Sequence, residues 1–302
     1  MSEPTALASA AEPAGVIHDI GYHRYDGPRR GRGYVAGSLY VHSLRTAFGL
    51  GRSAKAKIFP WLIVGITGLV AAVLVAIRAQ TGLVPLTYAQ FAEAMSWLVI
   101  FFVAVAAPEL VSRDLRSGVL PLYFSRPMSR PDYPLAKLAA LITAVWLLLG
   151  GPQLLMFIGA AFTVNGGLRA VWDELLDLLP SLLYAGLWAV VFASVGLVIA
   201  SLTGKRAFAN GGIVAVFLMT TPVVGVLSVL PSRTVNELAY LAAPSTLVTG
   251  VGSWLFHDLV ATEGEGSIRI GDFGPVYAAV AGALVATCVL LLLARYRKVA
   301  QS

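Results

Sequence analysis

The side chains able to do chemistry are few, and most are badly placed for it. Ser201–Phe208, SLTGKRAF, comes nearest to a phosphate-binding loop. Such a loop reads Gly-x-x-x-x-Gly-Lys-Ser/Thr, because amides cradle the phosphates, the Lys reaches them and the hydroxyl holds magnesium. Ile199 stands where the first Gly is needed, and Arg206 replaces the hydroxyl residue. The chain is therefore not expected to bind ATP, and Lys205 and Arg206 read as anchors at a membrane surface. His18, His23, His42 and His257 form no ligand set beyond the close pair in HDIGYH, so no metal site is expected. No nucleophile elbow and no H-E-x-x-H is present. Cys288 is the single cysteine and lies in an apolar run; it reads as a small buried hydrophobe without a redox role. No catalytic residue is expected, and the chain is not read as an enzyme.

The richest polar stretch is Glu109–Leu138, ELVSRDLRSGVLPLYFSRPMSRPDYPLAKL. Glu109, Arg113 and Arg116 are spaced by four and three, which puts them on one helical face where they can pair. Gly118 permits a turn, LPLYFSRP is a short amphipathic piece, and Ser129 is expected to cap the helix that follows. Pro127, Pro131 and Pro134 stiffen the segment. A stiff, charged element between two apolar runs is suited to transmitting a push from one side of a membrane. The remaining acids in apolar sequence, Glu93 and Glu109, fall near span ends. No charge is expected near the middle of the bilayer, where ion-coupled transport would need one. If the chain transports, its energy comes from elsewhere.

These groups must be positioned by a membrane-embedded scaffold. Of 302 residues 57% are hydrophobic and 13% charged, against about 25% charged in soluble domains. Six runs have the roughly 20 apolar residues that cross about 30 Å of hydrocarbon: about 58–78, 91–111, 135–162, 175–201, 207–230 and 275–295. Only helices and closed barrels satisfy the backbone in lipid, and no period-two alternation supports a barrel. The predicted fold is an all-α integral membrane protein with six transmembrane helices. GGPQ at Gly150–Gln153 and Pro222 would kink the third and fifth, or hinge them.

Most of the 22 Lys and Arg fall before the first span, after the second, between the fourth and fifth, and after the sixth. The positive-inside rule then puts both termini in the cytoplasm. Asp173, Glu174 and Asp177, and Glu237, Asp258, Glu263, Glu265 and Asp272, fall in outer loops. An amphipathic interfacial helix is expected over 34–57, with Val35, Leu39, Leu44, Ala47 and Phe48 on one face and Ser38, His42, Ser43, Arg45 and Arg52 on the other. The outer segment 231–274 should hold short re-entrant helices, since Pro244, Gly250 and Gly252 break it too often to cross, and then an exposed loop. Residues 1–33 read as a disordered cytoplasmic tail without a cleaved signal peptide. Its YHRYDGPRRGRGY suits anionic lipid or an acidic protein face better than nucleic acid.

Glu109, Arg113-Asp114, Gly118, Leu120 and SRPMSRPDYPLAKL resemble the inner loop of ABC-2 type transporter permeases, the membrane subunits of type V-like ABC exporters. The six-span layout, the surface helix and the broken stretch before the last span are also similar, over roughly 34–298. The resemblance implies a six-helix permease domain over 58–298 in a bacterial plasma membrane. It implies pairing with a second permease copy or paralogue, and a separate ATP-binding subunit that carries the ATP and magnesium. That subunit would dock on a coupling loop over 112–134. Contacts would come from Arg113, Asp114, Arg116, Gly118, Arg126, Pro127 and Arg130, with Arg45 from the surface helix. The cargo would be hydrophobic or amphipathic and would move outward. A self-sufficient secondary transporter or channel, and a membrane-embedded enzyme or assembly scaffold, are the other readings of the same residues.

Overall fold

A computed structural model describes residues 27, 31–112, 114, 128–164, 166–256 and 270–299, the side chains of the last two excepted. The helical body runs from Gly31 onward. The tail expected over 1–33 falls outside the described residues except for Gly27, Gly31, Arg32 and Gly33. Arg32 and Gly33 already belong to the first helix.

Every longer element among the described residues is helical, and none is a strand. Helix α1 covers Arg32–Ala47, α2 Ala54–Thr81, α3 Tyr88–Ala94 and α4 Ser96–Leu110. Then come α5 (Asp132–Thr163), α6 (Gly167–Leu202) and α7 (Arg206–Ser228). The short α8 (Arg233–Leu238), a 3-10 turn (Ala239–Ala242) and α9 (Pro244–Leu255) precede a 3-10 turn (Gly271–Phe273) and α10 (Gly274–Val299). Five stretches are long and apolar enough to cross a membrane: α2, α5, α6, α7 and Gly271–Arg297. The pair α3–α4, bent by 55°, makes a sixth when counted as one span. The chain has the helices of a multi-pass membrane protein.

Helix α6 is the hub. Val191, Phe192, Ala193, Ser194, Val195, Gly196 and Leu197 are all buried, which requires neighbours on every side. Those neighbours are α5, α10, α4, α3 and α7. By contrast α2 turns Ile58, Trp61, Leu62, Leu69 and Val73 outward. A face of that size is untenable in water and is covered by lipid in a bilayer. At 36 residues, α6 is about 54 Å long, well beyond the roughly 30 Å hydrocarbon slab. It starts at Gly167 rather than near 175. Asp173, Glu174 and Asp177 therefore belong to its first turns and not to a loop.

Pro152 and Pro222 lie inside helices that continue on either side of them. Two further expectations change. The second span, expected as one run, breaks at Met95. There Thr87 opens α3 with a reciprocal capping box to Gln90, and Gln153 donates to the Tyr88 carbonyl at 2.8 Å. The helix expected over 34–57 ends at Ala47, and Lys55 and Lys57 belong to α2. Gly49 makes that break: its φ is +69°, and a Cβ there would lie 2.5 Å from the Ala56 carbonyl oxygen. Helix α1 packs on α5 and α4 through Leu39, Ser43 and Ala47. Ser43, assigned to the polar face, is thus in the buried stripe.

The stretch between the fifth and sixth spans does form short helices. Pro244 starts α9 at its first turn, where its missing N–H costs nothing. Gly252 lets α9 touch α6, since a Cβ there would lie 2.3 Å from the Tyr184 ring. The glycine that reads as a breaker in the sequence serves a close approach. Most of the loop expected after α9 lies outside the described residues.

Candidate functional site

The helices alternate in direction, so one end of the bundle collects the start of α2, the end of α4, the start of α5, the end of α6, the start of α7 and the end of α10. Two clusters of ionised side chains join them.

The first is centred on Glu109, in the last turn of α4. Arg52, from the turn before α2, donates to it, and Arg206, the first residue of α7, binds it at 2.6 and 2.8 Å. A carboxylate near a helix C-terminus and a cation at a helix N-terminus each oppose their own helix dipole. With the α4 end beside the α7 start, each sits at the favourable pole of its neighbour. The pair fixes the two ends together, and Arg52 adds the segment that carries α1 into α2. Glu109 is 14% exposed and Arg206 37%, so the attraction is only partly screened.

The second cluster is centred on Lys137 in α5. Its ammonium donates to Asp114 at 2.5 Å and to the Leu110 carbonyl at the α4 terminus. It also lies 4.8 Å from the Tyr133 ring centroid. Tyr133 donates its hydroxyl to Asp114 at 2.7 Å and packs on Tyr296 of α10, ring centroids 5.1 Å apart. A buried lysine is tolerable only when paired and hydrogen-bonded, and here it also closes an orphan carbonyl of α4. Nearby, Ser112 donates to the Ala200 carbonyl at 2.8 Å. The chain leaving α4 is therefore rooted on α5 and α6.

Helix α1 is strapped to the same end. Arg32 holds Asp132 through two bonds of 2.6 Å, and Tyr40 donates to Thr143 at 3.0 Å. The bonds to Asp132, and then its charge, raise the Arg32 guanidinium above its ordinary pKa. Asp132 also accepts from the Ser129 amide at 2.9 Å. The cap is thus the reverse of the expected one: Asp132 binds back to Ser129, whose own hydroxyl is buried without a partner.

Of the contact residues read from the sequence, Asp114, Arg130 and Arg45 are described. Asp114 is built into the Lys137 cluster, while Arg130 and Arg45 are exposed. Arg113, Arg116, Gly118, Arg126 and Pro127 lie outside the described residues. Glu109, expected to pair with Arg113 and Arg116, is held by Arg52 and Arg206. Sequence reasoning missed those two arginines as its partners because they are 57 and 97 residues away. The acids described at this end, Glu109, Asp114 and Asp132, are all ion-paired. Arg45, Lys55, Arg130, Arg295 and Arg297 are exposed there. Among the described residues the exposed charges at this end are cationic. Among the described residues no group of His, Cys, Asp and Glu is arranged to hold a metal.

Inside the bundle, Tyr184 of α6 donates to Glu93 of α3 at 2.5 Å. Phe256 and Trp188 pack on the Tyr184 ring. Glu93, expected near a span end, lies beside the break of the second span, and its partner is midway along α6. Comparison with models of known protein families gives no match, and comparison with curated protein sequences gives none.

Proposed function

We propose that this chain is the membrane subunit of an ATP-driven exporter of the ABC-2 permease type. In this reading the positively charged end faces the cytoplasm with both chain termini. Helix α1 lies at the inner membrane surface, and α8 and α9 are re-entrant from the outer side. A separate ATP-binding subunit docks on the charged end, against the 112–134 segment, Arg130 and Arg45. Two such membrane subunits enclose a path for a hydrophobic or amphipathic cargo in a bacterial plasma membrane.

One observation carries the reading. The segment that joins the second and third spans is anchored at both ends by paired charges, while Arg45 and Arg130 beside it are exposed and have no ion pair among the described residues. A push delivered there reaches α4 through Lys137 and Glu109, α5 through Lys137 and Asp132, and α7 through Arg206. The Ser201–Phe208 stretch supports the division of labour: Arg206, at the hydroxyl position, is bound to Glu109 and not available for a nucleotide.

Sidedness is the first test. The Cys288→Ser chain carries no other cysteine, so single cysteines can be introduced at Lys205 and Ser232. A membrane-impermeant maleimide is expected to label Lys205→Cys only from the cytoplasmic face, and Ser232→Cys only from the outside. Labelling in the reverse sense removes the docking proposal.

Glu93 favours a second reading, a self-sufficient secondary transporter, because an ionisable residue turned into a membrane bundle is by default functional. Flux driven by a pH gradient without any ATPase is the signature of that reading.

A further inference from the structure

At the end of the bundle opposite Glu109, a cleft of about 120 Å³ opens between α2, the 82–87 linker, α5 and α6. Leu74, Val84, Leu86 and Met156 give it apolar walls. Arg78, Tyr88, Glu174 and Asp177 give it one polar end. An engineered apolar cavity of about 150 Å³ accommodates benzene, so this cleft takes a single ring or an equivalent branched alkyl group.

The polar end has an uneven charge. Arg78 donates to both oxygens of Glu174, and Tyr88 adds a third bond to Glu174 at 2.8 Å. The charge of Arg78 is thereby neutralised, and its carboxylate partner accepts three bonds. Asp177 is one turn further along α6, on the same face as Glu174, and has no cationic partner among the described residues. Its main-chain carbonyl is bound by Ser181 at 2.8 Å, which does nothing for the carboxylate. The cleft therefore keeps one uncompensated negative charge beside a half-enclosed apolar space. An anion would meet Asp177 and find Arg78 already taken. A neutral apolar molecule would fill the space but make no use of the Asp177 carboxylate, which is exposed.

We propose that this cleft binds a small organic ammonium ion carrying one ring-sized apolar group. The ammonium donates to Asp177, and the apolar group lies against Leu74, Val84, Leu86 and Met156. This site stands whether or not an ATPase drives the protein, because it rests only on the cleft and its charge.

The test uses the full chain in lipid nanodiscs, titrated with benzylammonium and with its uncharged near-isostere benzyl alcohol, and read by saturation-transfer NMR. Benzylammonium is expected to bind saturably, and benzyl alcohol about tenfold or more weakly, as the loss of one charged hydrogen bond requires. Asp177→Asn is expected to weaken benzylammonium by a similar factor. Val84→Trp fills the cleft from an exposed position and is expected to abolish binding with the elution profile and melting temperature of the parent chain. This variant carries the test if Asp177→Asn fails to fold. Equal affinity for the alcohol and the ammonium, an unchanged affinity in either folded variant, or no saturable binding would overturn the proposal.

Discussion

Glu109 is the residue on which most of the charged end depends. It holds two arginines from two other segments, and only part of that cluster is in water. Removing one partner of a fully buried pair costs about 3–5 kcal/mol; with Arg206 more than a third exposed, screening lowers the figure. Glu109→Gln is expected to cost about 2–3 kcal/mol, because it strands both cations. Arg206→Met is expected to cost about 1 kcal/mol or less, because Arg52 still answers Glu109. Thermal melting of the two variants in the same detergent checks the order. Equal losses would mean that Arg52 does not share the carboxylate. The residue types of this cluster are plain in the sequence, but their pairing is not. Spacing of four and three directs Glu109 toward Arg113 and Arg116, which lie outside the described residues, and Arg52 and Arg206 reach it through tertiary packing. Lys137 is similar: the sequence shows a lysine at the head of a span, and only the fold shows that it closes the end of α4.

At the scale of elements, the spans are the most legible feature, since a run of about 20 apolar residues has few alternatives in lipid. The break in the second span is the least legible. From Phe91 to Ala107 there is no Gly or Pro to announce it. The capping box from Thr87 to Gln90 announces only where α3 begins. Beside the bend, Tyr184 donates to Glu93 and Gln153 to the Tyr88 carbonyl, contacts that no local sequence signal announces. Helices α5 and α7 continue through Pro152 and Pro222. The turn after Ala47 was legible in principle from Gly49 and Gly51, both with positive φ. Glycines differ by what they touch. Gly252→Ala would put a methyl group 2.3 Å from Tyr184 and is expected to cost about 1–3 kcal/mol. Gly225→Ala in α7 meets nothing within 4 Å and is expected to be neutral or to stabilise by up to about 1 kcal/mol. Melting temperatures of the pair separate the two cases; an equal response would show that α9 does not press on α6.

For the whole molecule, the two ends of the bundle differ in charge as well as in shape. One end presents exposed cations without ion pairs among the described residues, around an anchored segment. At the other end Arg78 pairs with Glu174 and Arg233 with Glu237, while Arg169, Asp173 and Asp177 are exposed. The composition alone carried the class of protein, and the Lys and Arg distribution carried its proposed orientation. The proposed function rests on the likeness of the 109–138 stretch to a transporter loop, and much of that stretch lies outside the described residues. The central claim is that the fuel is consumed on another polypeptide that docks at the cationic end. The most direct measurement is purification of the full chain from its native membranes, followed by mass spectrometry and an ATPase assay. A stoichiometric partner containing a phosphate-binding loop is expected, with ATP hydrolysis in the complex, and the double variant Arg45→Glu/Arg130→Glu is expected to lose both while remaining folded. A homogeneous chain that moves cargo across vesicles with no ATPase present would contradict the account.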